Sequence, residues 1–172
     1  MASSMPNMEP ANSVIREAVL MDIPAIHRVH MASIRGLCAS AYSPDTIEAW
    51  ASNPDMGRYR RMLAPGCRCL VAIEAADICG FGSLELGKSR LASLFVHPDY
   101  AGSGVGGALL KQLEALALES GIDNLHLEAS LNARGFYEVH GYKVYRMAKH
   151  CFSTGLEMDC AEMRKSLSAV GG

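Results

Sequence analysis

The residues best suited to chemistry form a short run, Gly102-Ser103-Gly104-Val105-Gly106-Gly107, between a strand-like apolar segment and a long helix-like one. Glycines at such a junction permit positive φ and let backbone come close to a ligand. The N–H groups of the first helical turn have no partner inside the helix, and the helix dipole adds partial positive charge. The junction is therefore suited to a pyrophosphate. Gly102, Gly104 and Gly107 also match G-x-G-x-x-G, and Glu128, at the end of a later strand, imitates the ribose-binding acid of a dinucleotide fold. Two features count against that reading. A dinucleotide fingerprint starts almost at the strand end, whereas His97 to Ala101 intervene here, and too little chain follows residue 130 to supply further βα units.

The elements that must hold this turn can be read from periodicity and punctuation. Val14 to Ala18 reads as a strand. Asp22 looks like a cap for a helix running to about Cys38, with Ile23, Ile26, Val29, Ile34 and Leu37 on its apolar face. Ser43-Pro44 opens a second helix with Ile47 and Trp50 on one face, and Met56 to Leu63 reads as a third. Strands follow at Cys69–Ala75, Ile78–Leu86 and Leu91–Val96, the first two joined by a tight turn at Ala76-Asp77. The glycine run leads into a helix from about Gly104 to Ser120, stopped by Gly121. Leu125–Ala129 is a strand, Ala133–Val139 a short helix, and Tyr142–Lys149 with Leu156–Arg164 a final hairpin. This order is α+β with a mixed sheet, not a regular alternation of strand and helix.

Composition narrows the partners. The 172 residues carry 16 Lys and Arg against 18 Asp and Glu, a net charge of −2, which provides no field to recruit nucleic acid. No apolar run is long enough to span a membrane. The six cysteines, Cys38, Cys67, Cys69, Cys79, Cys151 and Cys160, lack disulfide-framework or zinc spacing and read as reduced thiols of a cytoplasmic protein. Residues 1–12 have no signal-peptide features and read as a flexible leader, residues 13–167 as one domain, and residues 168–172 as a flexible tail. No metal site is expected.

The segment from Leu94 through Gly102-Ser103-Gly104-Val105-Gly106-Gly107 to Leu110 resembles motif A of the GNAT superfamily of N-acetyltransferases. Ala101 departs from the pattern, which usually has Gln or Arg there. Ala133-Arg134-Gly135-Phe136-Tyr137-Glu138-Val139-His140-Gly141-Tyr142 resembles motif B, with Ser130 and Asn132 near the position where the wider family often has Asn. Tyr42 to Trp50 is similar to the corresponding region of the YafP-like branch. The resemblance runs from about Val14 to Lys165. It implies a mixed, mostly antiparallel twisted sheet flanked by helices, with a splayed strand pair that admits acetyl-CoA. Backbone groups of Leu94, Phe95 and Val96 would hold the pantetheine and polarise the thioester, and residues 101–107 would cradle the phosphates.

The implied reaction is acetyl transfer to a primary amine of a small molecule or peptide. A free alkylamine has a pKa of roughly 10 and must lose a proton to attack, and the departing thiolate benefits from a donor. The resemblance puts Tyr137 at the sulfur, where its neutral phenol could donate. Glu85, on the neighbouring strand, is the candidate base, with His30, His97 and Glu128 as alternatives. Arg35, Tyr42 and Trp50 are candidate acceptor contacts. Cys67, Cys69 and Cys79 show no paired histidine at readable distance, which favours direct transfer over a covalent intermediate. A homodimer is in keeping with the resemblance. A non-catalytic acyl-CoA sensor and a nicotinamide-dependent oxidoreductase remain as other readings of the same glycines.

Overall fold

In a computed structural model the described residues are 13–52 and 55–168. The expected leader, residues 1–12, and residues 169–172 of the expected tail lie outside them. The chain forms β1 (Val14–Glu17), α1 (Ile23–Leu37), α2 (Pro44–Ala51), α3 (Met56–Met62), β2 (Cys67–Glu74), β3 (Asp77–Glu85), β4 (Arg90–Val96), α4 (Val105–Glu119), β5 (Asn124–Ser130), α5 (Arg134–Val139), β6 (Lys143–Cys151) and β7 (Glu157–Ser166). One seven-stranded sheet has the order β1-β2-β3-β4-β5-β7-β6. Every neighbouring pair is antiparallel except β4 and β5.

Strand alternation divides the core in two. Leu70 and Ala72 of β2 pack with Val105, Leu109 and Leu113 of α4 on one face. Cys69 and Val71 pack with Ile26 and Val29 of α1 and with Tyr59 and Met62 of α3 on the other. Both faces of β2 and β3 are thus covered, which is why these strands read as near-continuous apolar runs. Gly82 on β3 lets α4 lie close, because a Cβ there would come within 2.5 Å of Leu113 Cδ1. That contact fixes where the N-terminus of α4 emerges.

Two local expectations change. Asp22 does not cap α1 with its side chain. Its carboxylate accepts the Val19 N–H at 2.8 Å and both Arg16 terminal nitrogens at 2.7 and 2.9 Å, because the preceding single turn of 3-10 helix leaves Val19 as the nearer donor. The tight turn between β2 and β3 is Ala75-Ala76, one residue earlier than expected, with φ of +49° and +69°. A two-residue type I′ hairpin turn needs positive φ at both central positions, and the alanines adopt it here without glycine. Among the described residues no helix is long and apolar enough to cross a membrane.

Candidate functional site

The sheet is interrupted where the sequence places its glycine turn. Ser83 pairs with Ser93 and Leu84 with Leu91, so Ala92 is an extra residue that bulges β4. A bulge bends a strand and re-aims it. β4 and β5 then share one paired position, Arg90 with His126, supported by the His126 N–H donating to Ser89 O at 3.1 Å. Beyond it, among the described residues, the β5-facing edge of β4 has no ladder partner. A cavity of about 460 Å³ occupies this gap. Ser93, Leu94 and Phe95 of β4 line it, as do Glu128, Ala129 and Ser130 of β5. Tyr137 reaches it from α5, whose ring belongs to the α4 face, whereas His30 of α1 and Arg58 of α3 reach it from the opposite face. The cavity therefore passes through the sheet.

The glycine turn lies at the end of β4 on the α4 side. Gly102 and Gly104 have φ of +75° and +91°, and a Cβ on either would meet nothing within 4 Å, so the turn is open on its outer side. Gly104 is the residue before the helix, leaving the first-turn N–H groups of Val105, Gly106 and Gly107 without intrahelical acceptors. The Ser103 hydroxyl and N–H both donate to Tyr100 O, which fixes the turn. Ala101 is exposed, and Val105 is buried in the core. Gly106 sits against Phe136 and Val96, and Gly107 against His140, so α5 closes down on the start of α4. Val96 and residues 101–107 lie outside the cavity lining, but an open, positively polarised helix start beyond an unpaired strand edge suits the diphosphate and amide-rich arm of coenzyme A. Among the described residues no three His, Cys, Asp or Glu side chains group as metal ligands.

Tyr137 is 6% exposed, held edge-on by Tyr142 with ring centroids 5.6 Å apart. Burial pushes its phenol well above the ordinary tyrosine range, so it stays protonated and able to donate. Ser130 lines the cavity, whereas Asn132 does not; both lie beside the buried Cys38 thiol. Burial raises that thiol to about 11, in spite of hydrogen bonds from these two residues.

The remaining candidates separate. Glu85 lines the cavity, with Oε2 at 3.4 Å from Lys88 Nζ and 3.8 Å from Arg90. Trp50 lines it too, 6.0 Å from the Tyr42 ring. Tyr42 itself is used elsewhere: its hydroxyl donates to Asp159 O at 2.6 Å and accepts the Leu131 N–H at 2.8 Å, tying the α1–α2 connection to the ends of β5 and β7. Arg35 is half exposed, 3.8 Å from Glu48 of α2, and does not line the cavity. His97 accepts the Asp99 N–H at 3.1 Å and so shapes the turn after β4. Glu128 lines the cavity, 3.1 Å from His150.

Sequence reasoning did not single out Arg58, and it did not see how His30 is held. His30 is 2% exposed, 4.3 Å from the Phe95 ring, with Nδ1 at 2.8 Å from the Tyr59 hydroxyl. That hydroxyl also meets His27 Nδ1 at 3.1 Å, so it can accept from one histidine and donate to the other. His30 Nε2 is buried with no hydrogen-bond partner. Burial, aided by Arg58 and His27, pushes the ring down to about 3 and keeps it neutral. The i, i+3 spacing of His27 and His30 was visible in the sequence; their shared tyrosine was not.

Comparison with known proteins agrees with this geometry. Residues 38–167 match the family model described as Acetyltransferase (GNAT) domain. The N-acetyltransferase YafP of Escherichia coli is 31% identical over 138 residues, 80% of this chain and 86% of that protein. A GCN5-related N-acetyltransferase structure from Rhodopseudomonas palustris is 31% identical, with TM-score 0.84, over 92% of this chain and 98% of that one. The PaiA N-acetyltransferase of Thermoplasma acidophilum, solved with coenzyme A, shares the fold at 21% identity and TM-score 0.73, over 90% and 99% of the two chains.

Proposed function

The chain belongs to the GNAT acetyltransferase family, and we propose that it transfers the acetyl group of acetyl-CoA directly to a primary amine of a small molecule or peptide. The observation that carries the reading is the cavity through the sheet at the β4/β5 gap, open to α5 on one side and to α1 and α3 on the other. Acetyl-CoA enters from the α4 side, its phosphates at residues 101–107 and its pantetheine along the free edge of Leu94, Phe95 and Val96. The acceptor enters from the α1 and α3 side.

In the reaction the amine nitrogen bonds to the thioester carbonyl carbon and the carbon–sulfur bond breaks. A backbone N–H of β4 stabilises the developing oxyanion. The amine loses a proton, the Tyr137 hydroxyl donates to the departing sulfur, its protonated state supporting that role, and the proton taken by the base returns to Tyr137 through solvent, so both groups are reset. Glu85 takes the amine proton, directly or through water. Its position on the cavity wall, on the strand next to β4, supports that role. A second reading gives the base to His30, because Nε2 is buried and unpartnered on the same wall, and Tyr59 with His27 offers a proton path outward. The free thiols are in keeping with a reducing compartment such as the cytoplasm.

Initial rates of thiol release, varied in both substrates, test the mechanism. Intersecting reciprocal plots are expected for direct transfer; parallel plots would point to an acetyl-enzyme and sink that part of it. Glu85→Gln should abolish the acidic limb of the kcat/KM profile if Glu85 is the base, and His30→Asn should do so if His30 is.

A further inference from the structure

The α3 end of the cavity is unbalanced in charge. Arg58, Arg61 and Arg90 line it against Asp55 and Glu85. Arg61 pairs with Asp55, and Arg90 shares Glu85 with Lys88. Further along the wall, Glu128 pairs with His150. Arg58 is the exception: among the described residues no carboxylate lies within ion-pair distance of it. It is half-buried, and burial lowers its guanidinium pKa; Tyr59 and Asp55 oppose that shift, while the like charges of Arg61 and Arg90 add to it. Arg90 has an unmet need as well, since its Nε is buried without a hydrogen-bond partner.

A desolvated cation without a counter-ion is costly, and its cost falls when a ligand brings the opposite charge. A guanidinium fork suits a carboxylate in particular, through two parallel hydrogen bonds. The scale of the cavity limits the rest of such a ligand. Arg58 lies near enough to His30 for its charge to act on that ring, and the His30 ring is 4.3 Å from Phe95 of β4. Arg58, His30, Leu94 and Phe95 thus line one cavity of about 460 Å³, the scale of a small acceptor's site.

We propose that the acceptor is a short amino acid-like molecule, its carboxylate held by Arg58 and Arg90 while its amine, a few bonds away, meets the thioester beside Leu94 and Phe95. The assignment rests on the acetyl-transfer reading above and names the substrate class for it. It also excludes a class: a polyamine would press a second ammonium against Arg58. Binding of the carboxylate offsets the positive charge that acts on His30, so the anion prepares the amine-facing wall as well as anchoring the acceptor.

The test uses the full chain, acetyl-CoA and matched acceptors: glycine, β-alanine and γ-aminobutyrate, each with its amide, together with spermidine. Thiol release should give a kcat/KM for at least one acid roughly tenfold or more above its amide, the scale of a charge-assisted bidentate contact. Arg58→Gln should collapse that ratio toward one, and Arg58→Lys should keep part of it. Equal rates for acids and amides, a preference for spermidine, or an unchanged ratio in Arg58→Gln overturns the proposal. A measurement on the unmutated protein covers the case in which Arg58→Gln does not fold or no acceptor turns over. The N-acetylated acids should stabilise the CoA complex saturably against thermal unfolding and the N-acetylated amides should not; no stabilisation by any acid overturns the proposal. Failure of acetyl-CoA itself to bind is a different result and removes the acetyl-transfer reading on which this rests.

Discussion

Replacing His30 by Asn should make folding stability less sensitive to acid, and the size of the change follows from the burial of the ring. In the folded protein His30 is 2% exposed and its pKa is pushed down to about 3, chiefly by burial. In the unfolded chain it returns to roughly 6.5. The folded-state value is the lower one, so below pH 6.5 the unfolded chain takes a proton that the folded protein refuses. The stability is complete above the unfolded pKa and drains as pH falls toward the folded one. One pKa unit is worth about 1.4 kcal/mol, so by pH 5 the loss from this residue alone is about 2 kcal/mol. Asparagine keeps a polar group near Tyr59 but does not titrate. Whatever it costs in packing is common to both pH values and cancels. Urea unfolding of both proteins at pH 7 and pH 5 gives the comparison. The wild type should lose about 2 kcal/mol more than His30→Asn over that interval. Equal losses would mean that His30 accepts a proton while folded, and the case for a sealed, neutral imidazole on the cavity wall would fail.

Tyr137→Phe removes one hydroxyl and leaves the ring against Tyr142 and Phe136. Turnover should fall about a hundredfold or more with acetyl-CoA affinity intact, as kcat and a binding isotherm would record; unchanged turnover would remove Tyr137 from the chemistry. Gly104→Ala forces a side chain into φ +91° at the mouth of α4. It should cost about 1–2 kcal/mol in unfolding experiments and weaken acetyl-CoA binding; undiminished binding would argue against the turn as the phosphate cradle. Ala75→Asn with Ala76→Gly gives the hairpin residues that favour its positive φ values. The unfolding midpoint should rise by several degrees with the rate of acetyl transfer unchanged.

Most elements were legible in the sequence because they are specified locally. Ser43 does cap α2, accepting the Thr46 N–H at 3.2 Å with Pro44 next in the chain, and Gly121 ends α4 at φ +82°. The Gly102–Gly107 run lies at the start of a helix after a strand, as its spacing required. What stayed hidden is non-local. Nothing in Glu157–Ser166 announces that β7 slips between β5 and β6, since its alternation would suit an edge as well. The Ala92 bulge depends on register between two strands, and a lone alanine carries no signal for it. Tyr42 looked like a ligand wall, but its hydroxyl is spent on Leu131 and Asp159, over eighty residues away. Met-Gly-Arg-Tyr-Arg-Arg-Met carries three arginines on one short helix, and nothing in their spacing tells them apart. Arg58 and Arg61 both line the folded cavity, and only the fold separates Arg61, which pairs with Asp55, from Arg58, which among the described residues has no carboxylate within ion-pair distance.

Thermal unfolding of the purified protein alone, with acetyl-CoA and with NADH tests the central claim most directly. A ligand at a hundred times its dissociation constant adds roughly 2.7 kcal/mol, enough to raise the midpoint by several degrees in a domain of this size. Stabilisation by acetyl-CoA and none by NADH is the predicted result. Stabilisation by NADH alone, or by neither, would contradict it.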